Sequence, residues 1–291
     1  MQNKYSATLD HVNFSLKEPC NFSFLKKYGK VFKVFDDQDS GNICFGMEDE
    51  NGVRRFIKYA GAKTVRGTVS PAEAIRNLKA TVPLYETLRH ETLIPYLGSL
   101  ETESGFGLVF QWTDGQCMGR MYPESHTRFM AMNTQKKLDV FRSIQHFLAY
   151  VHKEGYVAID FYDGSILYDF SQGKTLICDI DFFAKKPCFN HMGRMWGSSV
   201  FQSPEEYEMG AAIDVLTNVY TLGAFAFALF GGFYRDTGHW TLNPAAFDVA
   251  CRAVSATRAH RQQSIAQFIF QWENAVSPAG KPVINKNSFG E

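Results

Sequence analysis

The feature that most constrains this chain is a change of character about a third of the way along. Between residues 22 and 58, Phe, Val and Ile alternate with turn signals, whereas beyond Asn133 apolar residues recur at helical spacing. Lys30–Phe35, Asn42–Glu48 and residues 53–59 read as strands, with Asn51-Gly52 before the last as a strong hairpin signal, so an antiparallel meander of three strands is expected. Ser70-Pro71-Ala72-Glu73 opens a helix, with Ser70 as cap, Pro71 in the first position and Glu73 completing a capping box. Residues 93–100 and 107–112 supply two further strands, and after Thr113-Asp114-Gly115 the pattern turns helical.

The second part opens on its most periodic segment. Leu138, Phe141, Ile144, Gln145, Leu148 and Val151 share one side of a helix, and Lys136, Lys137 and Arg142 take the other. It ends at His152 to Gly155, basic residues and then glycine, as a helix C-terminus should. Two short strands, 165–168 and 175–178, follow around a Ser171-Gln172-Gly173-Lys174 turn, and residues 218–230 are almost free of charge, as befits a helix buried on all sides. The expectation is an α+β chain of two lobes: residues 1–112 as a five-stranded antiparallel sheet plus a helix, 113–276 as a mainly helical lobe, and 277–291 as a frayed tail. A ligand cleft crossed by a single hinge belongs between two such lobes.

Composition narrows the function classes. The 30 Lys and Arg balance 30 Asp and Glu, so nothing global attracts nucleic acid or an anionic membrane. The longest apolar run, residues 222–233, carries three glycines and is too short to span a bilayer. The first ten residues are polar and mixed, without the apolar stretch of a signal peptide. A cytoplasmic protein bound to neither nucleic acid nor membrane is expected, and its oligomeric state is open. The six cysteines stand apart, without metal-ligand spacing, and read as free thiols.

Several segments, in order, carry chemistry. Lys58 lies in Phe56-Ile57-Lys58-Tyr59 at the end of the third strand, behind a hairpin tip containing Ser40, Gly41 and Asn42. Phe110 to Thr113 ends the fifth strand. Tyr156-Val157-Ala158-Ile159-Asp160 runs into Phe161-Tyr162-Asp163-Gly164-Ser165, and Leu176-Ile177-Cys178-Asp179-Ile180-Asp181 ends a strand with two acids. Further on come Gly197-Ser198-Ser199-Val200-Phe201-Gln202-Ser203-Pro204-Glu205, then Asn218-Val219-Tyr220-Thr221-Leu222-Gly223, then Arg261.

This series, from about Phe24 to Phe268, resembles the protein-kinase family, and is most similar to bacterial Ser/Thr protein kinases of the eukaryotic type. The resemblance implies a two-lobed kinase-like fold, ATP with Mg2+ (or Mn2+) as cofactors, and a protein substrate. It implies Lys58 and the backbone of Ser40, Gly41 and Asn42 at the phosphates, Phe110 as gatekeeper, and Gln111, Trp112 and Thr113 at the adenine. Asp160 would be the catalytic carboxylate and Asp179 the metal ligand, aided by Ser165 or Asp181; their separation, 179 − 160 = 19, is close to what the family shows. Ser198, Phe201 and Glu205 would form the substrate platform, with Arg261 pairing Glu205.

The sequence also departs from that family. The His-Arg before the catalytic aspartate is Ala158-Ile159, the following lysine is Tyr162, the second metal-binding asparagine is Ser165, and the glycine of the metal triplet is Asp181. Asp163 stands near enough in sequence to substitute as a ligand. Where the family has a helix glutamate for the strand lysine, counting back from His90 reaches Thr81. These departures leave two alternatives to a Ser/Thr protein kinase: a pseudokinase that binds nucleotide or a partner with little turnover, and a small-molecule phosphotransferase.

Overall fold

The computed structural model describes residues 4–277, so the tail expected at 277–291 lies outside the described residues from 278 onward. The chain is α+β, with several antiparallel sheets, and divides into two compact units, Met1–Asp114 and Gly115–Glu291.

The first unit begins with a hairpin of β1 (Tyr5–Leu9) and β2 (Val12–Leu16), turned at Asp10 and His11, which both take positive φ. There follow β3 (Lys30–Phe35), β4 (Asn42–Glu48), β5 (Arg54–Ala60), helices α1 (Pro71–Ala80) and α2 (Val82–Thr87), then β6 (Tyr96–Thr102) and β7 (Gly105–Gln111). Strands β3 to β7 form one antiparallel sheet in the order β3-β4-β5-β7-β6. A description as five strands plus one helix is therefore incomplete: the unit adds the two-stranded β1–β2 sheet, and its helix is two helices. The break falls at Thr81, whose hydroxyl donates to the Leu78 carbonyl, because Pro83 lacks the N–H that a continuous helix would use there. At the start of α1, the Ser70 hydroxyl accepts from the Glu73 N–H, one half of the expected capping box.

Strand alternation gives this sheet two different faces. Ile43, Phe45 and Met47 of β4 join Ile57 and Tyr59 of β5 and Val109 of β7 in a core covered by Phe14 and Leu16 of β2. On the opposite face Gly46, Phe56 and Phe110 stand in one row, and Cys44, Lys58 and Leu108 in the next. That face is paved with rings: Phe32 meets Trp112 edge-on at 4.7 Å, and Phe35, Phe56 and Phe110 continue the chain of contacts. Gly46 makes room for it, since a Cβ there would lie 2.8 Å from the Phe32 ring and 2.9 Å from Trp112.

The second unit runs β8 (Gln116–Cys117), α3 (Pro123–Met130), α4 (Thr134–Lys153), β9 (Tyr156–Val157), β10 (Ile166–Asp169), β11 (Lys174–Ile177), β12 (Ala184–Lys185), β13 (Cys188–Phe189), β14 (Ala212–Ile213), α5 (Val215–Phe230), α6 (Pro244–Ala253) and α7 (Ile265–Val276). Its strands form one three-stranded sheet, β11-β10-β8, and two short pairs, β12-β9 and β13-β14. Helix α5 is buried from Thr217 to Phe230 and packs against α4, α6 and α7. Phe141, Phe230, Phe268 and Trp272 interlock there edge to face, a geometry that adds about 0.5–1.5 kcal/mol per ring pair beyond burial. No described helix is long and apolar enough to cross a membrane.

Candidate active site

In the second unit two aspartates emerge from separate loops, Asp160 three residues after β9 ends and Asp179 two after β11 ends. Both sit in the left-handed region, at φ +54° and +56°. Aspartate tolerates that conformation better than most residues, yet each instance costs about 1–3 kcal/mol and persists only where the surroundings impose it. For Asp160 the constraint is visible. The Asn218 side chain on α5 grips Ala158 twice: its Oδ1 accepts from the Ala158 N–H at 3.0 Å, and its Nδ2 donates to the Ala158 carbonyl at 2.7 Å. Asn218 is 1% exposed, so both bonds are shielded from water.

Tyr162 feels the charge of both aspartates. Burial pushes its phenol up from the ordinary value, and the negative charges of Asp160, Asp179 and Asp163 push it further. The ring folds back over Gly164, where an added Cβ would stand 2.4 Å from its Cε2. A glycine is therefore required at 164 for the ring to lie where it does. Around it, Cys117 donates to the Gly164 carbonyl, and burial raises that thiol to about 11, which leaves it protonated.

Asp163 has partners of its own. It is 3% exposed and accepts from the Arg120 backbone N–H at 3.3 Å, with the Arg120 side chain at 3.8 Å. Burial raises its carboxyl, and these contacts offset only part of that effect. Its contacts are structural, which counts against it as a substitute metal ligand. Ser165 is different: it is 1% exposed, and its hydroxyl has no hydrogen-bond partner. Asp179 is exposed, and Asp181 follows it by two residues at half exposure.

The third element is the segment from Gly197 to Glu206. Asp160, Ser198, Gln202, Glu206 and Thr221 line a small cleft floored by Phe161 and Phe201, so Ser198 and Asp160 face the same space. Phe201 is 3% exposed and packs on Phe225 at 4.8 Å and Phe233 at 6.3 Å, so it anchors this segment from beneath. Glu205 meets Arg261 through two parallel bonds of 2.7 and 2.9 Å, and Arg261 is fully buried. Arg258 bonds Glu205 at 2.6 Å and grips both oxygens of Asp214, the cap of α5. Burial opposes ionisation of Glu205, but the Arg261 hydrogen bond and the charges of Arg261 and Arg258 outweigh it and hold the carboxyl below its usual range. Its neighbour Glu206 goes the other way. Burial pushes Glu206 up to about 7, although it accepts from both the N–H and the hydroxyl of Ser203.

Of the residues singled out in the first unit, Asn42, Lys58 and Phe110 share one face of the neighbouring strands β4, β5 and β7. Lys58 stands mid-sheet on the ring-paved face, paired in register with Cys44 and Leu108. The tip from Asp36 to Asn42 is tied down. Asp36 accepts from the Ser15 N–H, Asp37 pairs with Arg66, and the Asp39 carbonyl accepts from the Thr68 N–H. Gly41, at φ +80°, lies where a Cβ would be 2.9 Å from Val69, so its glycine serves close packing against the 64–69 loop. The Ser40 hydroxyl accepts from the N–H and the side-chain amide of Asn42, at 3.4 and 3.3 Å. Phe110 is 1% exposed among Phe56, Tyr85 and Tyr96. The Gln111 N–H donates to the Pro95 carbonyl and the Trp112 N–H to that of Arg54.

A search of family models finds none that matches the chain. Five functional-looking residues escaped the sequence reading. Tyr162 appeared there only as a missing lysine, and Asn218 only as part of a helix start, while Arg258, Asp214 and Glu206 carried no role. For Arg258 a signal did exist, in its place three residues before Arg261.

Proposed function

We propose that the chain is an ATP- and magnesium-dependent phosphotransferase of protein-kinase-like architecture that phosphorylates a protein Ser or Thr hydroxyl. One observation carries the reading: Asp160, in left-handed backbone beside the Asn218 clamp, lines one cleft with Ser198. Phosphoryl transfer needs positioning and charge neutralisation more than covalent help from the protein. On this reading Asp160 orients the acceptor hydroxyl and takes its proton, and Lys58 contacts the phosphates.

The donor set also suits a hard cation. Among the described residues no group of three or more His, Cys, Asp or Glu side chains is arranged to hold a metal. Magnesium does not need such a cage, because it commonly binds through one or two carboxylates, water and substrate phosphates. The orphaned Ser165 hydroxyl fits that chemistry, and Asp179, with Ser165 or Asp181, would hold the ion. When bound, the ion would neutralise charge on the phosphate oxygens.

The test is transfer of label from γ-labelled ATP with magnesium or manganese, alongside nucleotide-induced thermal shift. Asp160→Ala should lower transfer by about 10³-fold or more while leaving the thermal shift in place. Transfer by that variant at the wild-type rate overturns the assignment. A second reading, the pseudokinase, is favoured by the tied-down tip around Gly41 and by the committed amides of Gln111 and Trp112. Nucleotide binding without transfer by the wild-type chain would select it.

A further inference from the structure

Two arginines of the second unit gather beside the cleft that Asp160 and Ser198 share. The Arg120 guanidinium lies 4.3 Å over the Phe233 ring, and Phe233 packs on Phe201, which lines the cleft. Arg235 donates to the Val200 carbonyl at 3.0 Å and to the Tyr220 hydroxyl at 2.9 Å. Both of its acceptors are neutral. Among the described residues no carboxylate forms an ion pair with Arg235, and its neighbour Asp236 is held by His239 at 2.9 Å. Arg120 faces the buried Asp163 carboxylate at 3.8 Å, too long for a hydrogen bond, and its own side chain is 49% exposed. Arg235 is exposed as well.

We propose that Arg120 and Arg235, gathered around Phe233, are specificity-determining residues that select acceptor peptides with acidic side chains beside the phosphorylated hydroxyl. This rests on the phosphotransferase reading above. An exposed guanidinium bound to neutral acceptors keeps its full charge, and it retains N–H donors in the planar fork that matches a carboxylate. The cleft itself carries Asp160 and Glu206, which repel an acid at the acceptor position and leave a serine or threonine hydroxyl as the group that enters. An acid a short way along the peptide meets the arginines instead. Val200 and Tyr220 hold Arg235 in place before a peptide arrives, so little rotamer freedom remains to be lost on binding. With 30 basic against 30 acidic residues the whole chain exerts no net pull on an acidic partner, so the selection is local.

Two peptides that differ only in carrying Asp or Asn on either side of one Ser provide the test. For the wild type, kcat/KM should favour the Asp peptide by about 10-fold, with the difference in KM, and the margin should shrink as added salt screens the exposed charges. Arg235→Met should cut that preference by about 3-fold, and adding Arg120→Met should bring the two peptides within about twofold of each other. Arg235→Lys keeps the charge and should keep most of the preference. If Arg235→Lys loses it as fully as Arg235→Met, the grip on Val200 matters rather than the charge, and the inference is overturned. If the wild type transfers phosphate to both peptides equally, this inference alone falls. If the wild type transfers phosphate to no acceptor, the phosphotransferase reading falls first and this one with it.

Discussion

The tip of the first unit, from Asp36 to Asn42, and the loop of the second, from Ala158 to Ser165, were both singled out as places where phosphate chemistry could reside. They are built in opposite ways. In the tip most polar groups are tied to partners, the buried Asn42 Oδ1 excepted, and the glycine is spent on close packing against Val69. In the second loop the backbone is held from outside by Asn218, a hydroxyl is left unpartnered, and Asp160 sits in left-handed backbone. A loop whose backbone and carboxylates are tied to its neighbours reports on stability when it is changed. A loop clamped from outside, with polar groups left over, reports on function.

Three further substitutions sharpen or break that contrast. The largest effect is expected from Arg261→Ala, which leaves the Glu205 carboxylate buried with only Arg258 beside it. Removing one partner of a buried pair costs about 3–5 kcal/mol. Chemical denaturation should show a loss of that order, and a loss below about 1 kcal/mol would mean that Arg258 alone suffices and that the anchor of this segment has been misjudged.

Next comes Glu206, whose folded-state value of about 7 lies above its ordinary 4.5. Its contribution to stability is full below the ordinary value and is lost as pH rises through about 7. At 1.36 kcal/mol per unit the loss is on the order of 3 kcal/mol. Glu206→Gln retains an acceptor for Ser203 and removes the titration, so its stability should stay flat between pH 5 and 8 while that of the wild type declines. Parallel declines would show that Glu206 ionises freely in the folded chain. Glu205 works with the opposite sign, its depressed value giving stability above the usual carboxylate range that is lost on acidification.

The smallest effect is expected at Gly41. Alanine there must adopt φ +80° and approach Val69, which costs about 1–2 kcal/mol. The melting temperature should fall by a few degrees. Loss of nucleotide-induced thermal shift with an unchanged melting temperature would break the contrast, since the tip would then be acting on a ligand.

Much of the fold was legible because two periods dominate the sequence. The bounds of β3 and β4 coincide with those read from alternation and turns, and α4 starts and stops at its cap and its basic end. The β1–β2 hairpin was not legible, because β1 carries little apolar patterning and the hairpin depends on packing with distant strands. Of the site, Asp160 and Asp179 stand out by position in sequence. The fates of Glu205 and Glu206 do not: two identical side chains, adjacent in the chain, are driven in opposite directions by which one meets an arginine. Nor could any local pattern couple Asn218 to Ala158, since 60 residues separate them.

That last coupling has a dynamic consequence. One amide group both gives and takes a hydrogen bond, so an aspartate at 218 would satisfy the Ala158 N–H yet set an oxygen against its carbonyl. The peptide before Asp160 thereby inherits the rigidity of α5, the most deeply enclosed helix of its unit. In hydrogen–deuterium exchange the Ala158 amide should trade its proton on the slow clock of that helix, although its address in the chain is a loop.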